Sequence, residues 1–270
     1  MIVRFVSNLG NQMYGYAFGR SLSILKNEPL YFDRETNVDC FPYLTYTMDV
    51  YPVDIRFGGP DGPLYTEQGL GFDDKVFSAP SDTVFDGHWF TEKYMLRAGC
   101  SELIRRELRQ PKGNPNRETL RLANEIRNSD QTAFIHVRHG DFLSPDKLPF
   151  HGVPSMEYYQ EGMHRIEEKY PKTKFYVFSD DPIWCHENFK KENCVVVSPN
   201  SSVHSDKQGQ WDIWLMSLCK NAVIANSSFS WWGAWLNPNS EKMVFAPKAW
   251  FTSAYEVYSE DIVPESWTKL

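Results

Sequence analysis

Phe134-Ile135-His136-Val137-Arg138-His139-Gly140-Asp141-Phe142 is the stretch on which the fold turns. An apolar, β-branched run that ends in charged residues and a glycine reads as a buried strand, over 133–138, running into a loop. The same kind of short run recurs downstream, at 174–178, 194–197, 222–225 and 243–246. Helical spacing fills the intervals near 155–169, 182–190, 208–220 and 228–236. Strands that alternate with helices predict a parallel sheet covered on both faces, with ligands at the carboxyl ends of the strands. Within 133–138 the pleat sends His136 and Arg138 to one face near that end. Gly140 then permits a sharp turn that points Asp141 back toward the mouth of the sheet.

Toward the amino terminus the pattern starts again. Ile2 to Val6 reads as a strand, Ser7 to Asn11 as a turn, and Met13, Tyr14, Ala17, Phe18, Leu22 and Leu25 fall at helical spacing before Pro29. Leu30 to Asp33 reads as a second strand, which makes the opening a Rossmann-like unit. Residues 37–100 show no clear period. Ser101 to Arg109 and Arg117 to Asn128 read as helices, with Pro111 to Pro115 between them as a linker. The expected architecture is α/β, with two Rossmann-like halves, 1–128 and 129–270, and a cleft between them.

Composition narrows the function. A chain of 270 residues can bury a core without disulfide or metal staples. With 41% hydrophobic and 23% charged residues it has the make-up of a soluble globular protein, not a disordered one. A net charge of −7 argues against broad nucleic-acid binding but leaves room for a small anion held by local cations. Nine Trp within a 15% aromatic content suit either a heavy core or sugar-stacking surfaces. Five cysteines without a CxxC pair give neither a zinc site nor a disulfide framework, so free thiols in a reducing compartment are expected. The opening turns polar too early for a signal peptide, and no apolar run reaches the roughly 18 residues of a membrane span. The reading is a cytoplasmic protein, in which the glycosylation-type triplets at Asn200 and Asn226 mean nothing. HExxH, GxSxG, P-loop and Asp-x-Asp patterns are all missing from the chain.

Several residues could carry chemistry, each with a structural alternative. Arg138 at a strand end can grip a phosphate through two N–H groups, or pair with Asp141 to fix the turn. Asn226-Ser227-Ser228-Phe229 leads a strand into a short helix. Ser227 or Ser228 caps that helix, and the amides of 228–230 could hold an anion. Trp231, Trp232 and Trp235 around the same helix point to core packing. Phe178-Ser179-Asp180-Asp181-Pro182 has a capping signature, with a carboxylate contact to a ribose or base edge as the functional alternative. Leu9-Gly10-Asn11-Gln12 lies at a strand-to-helix turn, where Asn11 is a cap that can also face the cleft. Trp89, in Asp86-Gly87-His88-Trp89-Phe90-Thr91-Glu92-Lys93-Tyr94, could stack on a sugar or sit in a surface strand.

Taken in order, Gly10-Asn11-Gln12-Met13, His136-Val-Arg138-His-Gly140-Asp141, Phe178-Ser-Asp-Asp181 and Asn226-Ser-Ser-Phe-Ser-Trp-Trp-Gly-Ala-Trp235 closely resemble the α-1,2-fucosyltransferases of glycosyltransferase family 11, from Leu9 to about Trp250. The resemblance looks bacterial. It implies a two-domain GT-B-like fold and inverting transfer of L-fucose from GDP-fucose to O2 of a terminal galactose on a glycan, with no metal and no further cofactor. The 129–270 half would bind GDP-fucose and the 1–128 half would lie on the acceptor side. Arg138 would act on the diphosphate, with Asn226, Ser227, Ser228, Phe229 and Asp180 around the nucleotide. Asn11 would face the donor or the acceptor, where it could orient the attacking hydroxyl, with Gln12 and Trp89 on the acceptor side, and Asp141, His136 or more remotely Asp146 would take the proton. Two departures stand out. His139 replaces the usual second Arg and carries no permanent charge. Ser7-Asn8 and Tyr14-Gly15-Tyr16 replace Gly-Gly and Phe-Gln-Tyr, a sign of a changed acceptor pocket. Transfer to a protein or another hydroxyl, and a nucleotide- or glycan-binding module without chemistry, are the alternatives.

Overall fold

The computed structural model describes residues 1–34, 46–198, 208–252 and 259–270. The Asn200 triplet, His204 and Cys40 lie outside them. The first compact unit is Met1–Lys112 with Tyr258–Pro264, and the second is Gly113–Val257 with Glu265–Leu270.

The first unit is built on a parallel sheet of β1 (Ile2–Arg4), β2 (Tyr31–Asp33), β3 (Leu64–Thr66) and β4 (Val84–Asp86), in the order β2-β1-β4-β3. Helices α1 (Leu9–Lys26), α2 (Lys93–Arg97) and α3 (Ser101–Leu108) accompany it. The α1 helix begins at Leu9, earlier than its apolar period suggests, so Asn11 lies in its first turn and Asn8 takes the cap position. It ends at Asn27, whose left-handed backbone (φ 52°) directs its N–H back to the Ser23 carbonyl two residues ahead of Pro29. Strands β3 and β4 were not legible in the sequence. Each spans three residues, too few to show a period of two, and β3 is a largely exposed edge strand.

The second unit contains α4 (Arg117–Asn128), β5 (Thr132–Val137), α5 (Leu148–His151), α6 (Met156–Lys169), β6 (Lys174–Ser179), α7 (Pro182–Asn188), β7 (Cys194–Val196), α8 (Gly209–Leu218), β8 (Asn221–Val223), α9 (Ser228–Leu236), β9 (Val244–Ala246) and β10 (Thr268–Lys269). Its parallel sheet runs β10-β9-β8-β5-β6-β7. All six residues of β5 are buried, because it lies inside the sheet between β8 and β6 and is covered on both faces. Ala133, Ile135, Val137, Phe175, Val177 and Val223 form one core with Tyr159, Met163 and Ile166 of α6. Gly233 of α9 allows close packing on α8, since a Cβ there would stand 2.7 Å from Met216 Cβ. Trp231, Trp232 and Trp235 are all buried, which settles them as core.

The two units divide within the Pro111–Pro115 linker, not at 128/129. Helix α4 groups with the second sheet: Glu125 accepts from Tyr176 Oη at 3.0 Å, and Arg127 lies over the Trp214 ring at 5.1 Å. Residues near 261 return to the first unit, where the Asp261 carboxylate accepts from the Phe72 amide at 2.8 Å and pairs with Lys93. Cys100, Cys185, Cys194 and Cys219 are free thiols, three of them buried.

Candidate active site

At the carboxyl end of β5 the chain leaves the sheet through Arg138, His139 and Gly140. Arg138 is held from two sides. Its Nη2 donates to Asp141 Oδ1 at 2.7 Å and its Nη1 pairs with Asp180 Oδ2 at 2.8 Å. The guanidinium also lies 5.3 Å from the centroid of Phe142. The Arg138–Asp141 pair anticipated as a structural alternative is therefore real, yet 29% of the Arg138 side chain stays exposed.

Asp180 and Asp181 divide the roles that the sequence left open. Asp181 caps α7, its Oδ1 accepting from the Trp184 amide at 3.1 Å. Asp180 supports the β5 exit instead, with Oδ1 accepting from the His139 amide at 2.9 Å. Its carboxylate explains Gly140, where a Cβ would stand 2.3 Å from Asp180 Oδ2. Gly140 is thus required by close approach and not by a left-handed backbone, since its φ is not positive. His139 is buried and turned aside, its Nδ1 3.4 Å from Asp181 Oδ2 and its ring edge-on to Trp184 at 4.4 Å.

Asp141 is already engaged. Its Oδ2 pairs with Lys147, a residue the sequence reading passed over because nothing in an aperiodic loop distinguishes it from other surface lysines. Burial alone would raise the Asp141 carboxyl, but Arg138 and Lys147 outweigh it and hold the pKa below the usual aspartate value. Asp146 is fully exposed and is lowered by the Ser144 hydroxyl. His136 is buried, and desolvation followed by the Arg138 charge pushes it down to about 3. Among the described residues its Nδ1 has no hydrogen-bond partner. Each of the three sequence-derived bases is therefore weakly basic.

The His136 ring meets Phe229 at 5.7 Å and so joins the β5 exit to the first turn of α9. Ser227 is the cap of that helix, its Oγ accepting from the Phe229 amide at 3.3 Å. That bond occupies one of the three amides expected to face an anion, and Ser228 opens the helix beside it. Asn226 is a brace more than a ligand grip: its Nδ2 donates to the carbonyls of His151 (2.8 Å) and Trp250 (3.0 Å). Those carbonyls fix which way the amide points. The buried Oδ1 is left without a hydrogen-bond partner among the described residues.

Asn11, Gln12 and Trp89 belong to the first unit. Gln12 is fully buried, its Oε1 accepting from the Thr47 amide at 2.9 Å and its Nε2 donating to the Ser7 carbonyl at 2.9 Å. Trp89 is also buried, stacked on Phe18 at 3.9 Å. Both side chains are thus packed within the first unit. Tyr14 and Tyr16 are buried as well, whereas Ser7 and Asn8 are partly exposed. Asn11 stays half-exposed at the start of α1. Glu67, just past β3, was missed. It accepts from the His88 and Trp89 amides at 2.6 and 3.0 Å, and burial outweighs both bonds to push its carboxyl up to about 7.

Two units, each built on a parallel sheet with helices, give the chain a GT-B-like α/β fold, and the second presents an arginine and a capped helix start at its strand ends. The sequence profile of Glycosyl transferase family 11 matches residues 70–270, and the chain belongs to that family. It is 30% identical to an alpha-1,2-colitosyltransferase from Escherichia coli, over 100% of this chain and 98% of the relative. It is 34% identical to the O-antigen biosynthesis glycosyltransferase WbnK of Escherichia coli, over 57% of this chain and 52% of that one. Among solved structures, the NodZ alpha-1,6-fucosyltransferase soaked with GDP-fucose matches with a TM-score of 0.52 at 14% identity, covering 88% of this chain and 92% of that one. That similarity supports the fold. No helix among the described residues is long and apolar enough to cross a membrane.

Proposed function

We propose that this glycosyltransferase moves L-fucose from GDP-fucose to O2 of a terminal galactose, inverting the anomeric centre and using no metal. The observation that carries the reading is Arg138, aimed by Asp141 and Asp180 at the carboxyl end of β5 and still partly open. As the bond between the sugar carbon and the diphosphate breaks, charge collects on the departing phosphate. A cation held in place before that moment stabilises the transition state more than the bound substrate. The acceptor oxygen attacks the same carbon from the opposite face, and its proton passes to a nearby base. Asp141 is the carboxylate closest to Arg138 in sequence and in space, and its low basicity suits a loose transition state in which bond breaking runs ahead of proton loss.

A second reading, transfer of colitose, is favoured by the 30% identical colitosyltransferase that spans the whole chain. One assay separates the two. Purified protein receives GDP-fucose or GDP-colitose with a panel of galactose-terminated oligosaccharides, with and without EDTA, followed by linkage analysis. A new α-1,2-fucoside formed equally in EDTA is the expected product. Product from GDP-colitose alone moves the chain to the second reading. Binding of GDP with neither hydrolysis nor transfer identifies a binding module.

A further inference from the structure

Lys147 stands in the site without a part in the reaction as derived so far. Its ammonium and the Arg138 guanidinium share one carboxylate, Lys147 on Asp141 Oδ2 and Arg138 on Asp141 Oδ1. The two cations are held differently. Arg138 is fixed by a second carboxylate, Asp180, at 2.8 Å. Among the described residues Asp141 is the ion-pair partner of Lys147, and both side chains of that pair are 41% exposed. An ion pair this exposed is easily broken, and a lysine places a compact charge on a flexible four-carbon stem.

Charge balance makes that mobility useful. Arg138 and Lys147 bring two positive charges to the cluster, and Asp141 and Asp180 cancel both. A diphosphate brings at least two negative charges and gains another as the sugar departs. His139 offers no remedy, because its ring is packed against Trp184 and faces Asp181. The capped start of α9 supplies only partial charges. We infer that Lys147 leaves Asp141 on donor binding and pairs with the sugar-bearing phosphate, as the second full cation of the site. Arg138, bound on two sides, aims at the diphosphate, while the mobile lysine follows the phosphate on which charge develops. The inference rests on the nucleotide-diphosphate-sugar reading above.

Calorimetric titration of the full chain with GDP and with GMP tests it, using wild type, Lys147→Gln and Lys147→Arg. For Lys147→Gln, GDP affinity is expected to fall about 10-fold or more, as for loss of one charge-assisted contact, while GMP affinity stays within about 2-fold. Lys147→Arg is expected to recover most of the loss, and melting curves confirm that each variant is folded. Unchanged GDP affinity in Lys147→Gln overturns the inference. So does a parallel fall for GDP and GMP, which marks Lys147 as a prop for its loop. A wild type that does not prefer GDP to GMP overturns the functional reading itself, and is distinguishable because it needs no variant.

Discussion

A guanidinium bound by two carboxylates is difficult to move and well aimed, and that describes Arg138. Removing a preorganised donor from a site of developing charge costs about 10²–10³ in rate. Arg138→Ala is therefore expected to lose at least that much turnover while keeping its fold, checked by steady-state transfer and circular dichroism. Near-normal activity in the folded variant would remove Arg138 from the mechanism. Gly140 tests the same device without touching a charge. A methyl there would meet Asp180 Oδ2 at 2.3 Å, so Gly140→Ala must displace the carboxylate that aims Arg138 and holds the His139 amide. Activity should fall about 10-fold or more with little change in melting temperature, since the turn needs no positive φ. The placement of Arg138, Gly140 and Asp141 at a strand exit was legible in the sequence, because they follow an apolar run whose pleat fixes direction. The reason for Gly140 was not, because Asp180 lies 40 residues away in the chain and only the β5–β6 register brings it alongside.

At the scale of elements, the loop after β3 offers a pH test. Glu67 joins the exits of β3 and β4 by accepting from the amides of His88 and Trp89, and burial holds its carboxyl near 7. The folded chain thus keeps this proton to higher pH than the unfolded chain, whose glutamate titrates near its ordinary value. Stability from this group is full at low pH and is lost as pH rises toward 7. Relative to Glu67→Gln, which does not titrate, wild type is expected to lose about 2 kcal/mol between about pH 5.5 and pH 8. Urea unfolding at both pH values measures the difference, and a constant gap would show that the carboxyl does not titrate in this range. This region was also where the sequence was least readable. Apart from the single-turn α5, the elements from β5 to β9 announced themselves through alternating apolar runs and capped helices, and their observed ends lie within a few residues of expectation. Strands β3, β4 and β10 have two or three residues each and become strands only through their partners. Trp89 was undecided for a related reason: a tryptophan beside polar residues could stack on a sugar or pack inward, and the stack on Phe18, from a helix 71 residues earlier, is invisible in the local sequence.

At the scale of the whole molecule, each unit has its own parallel sheet, and the residues singled out in the sequence divide unequally between the units. His136, Arg138, Asp141, Asp180, Ser227 and Phe229 belong to the second unit, and Asn11 to the first. The overall charge of −7 makes an anionic ligand depend on local cations and helix amides, which in this site belong to the second unit. Ligand binding stabilises the backbone that contacts the ligand, and amide exchange reports that stabilisation segment by segment. Saturating GDP is therefore expected to slow exchange at the β5 exit, 136–142, through the loop carrying Lys147, and in the first turn of α9. The interior of α1 should change little. Strands β7 and β10 provide an internal control, because they lie at the two edges of the same sheet, away from β5. Protection confined to 136–147 and 226–231 would support a nucleotide site formed at the strand ends of the second sheet. Equal protection along α1 and β1 would move the site toward the first unit, and Asn11 would then have to carry a donor contact that this reading gives to Arg138.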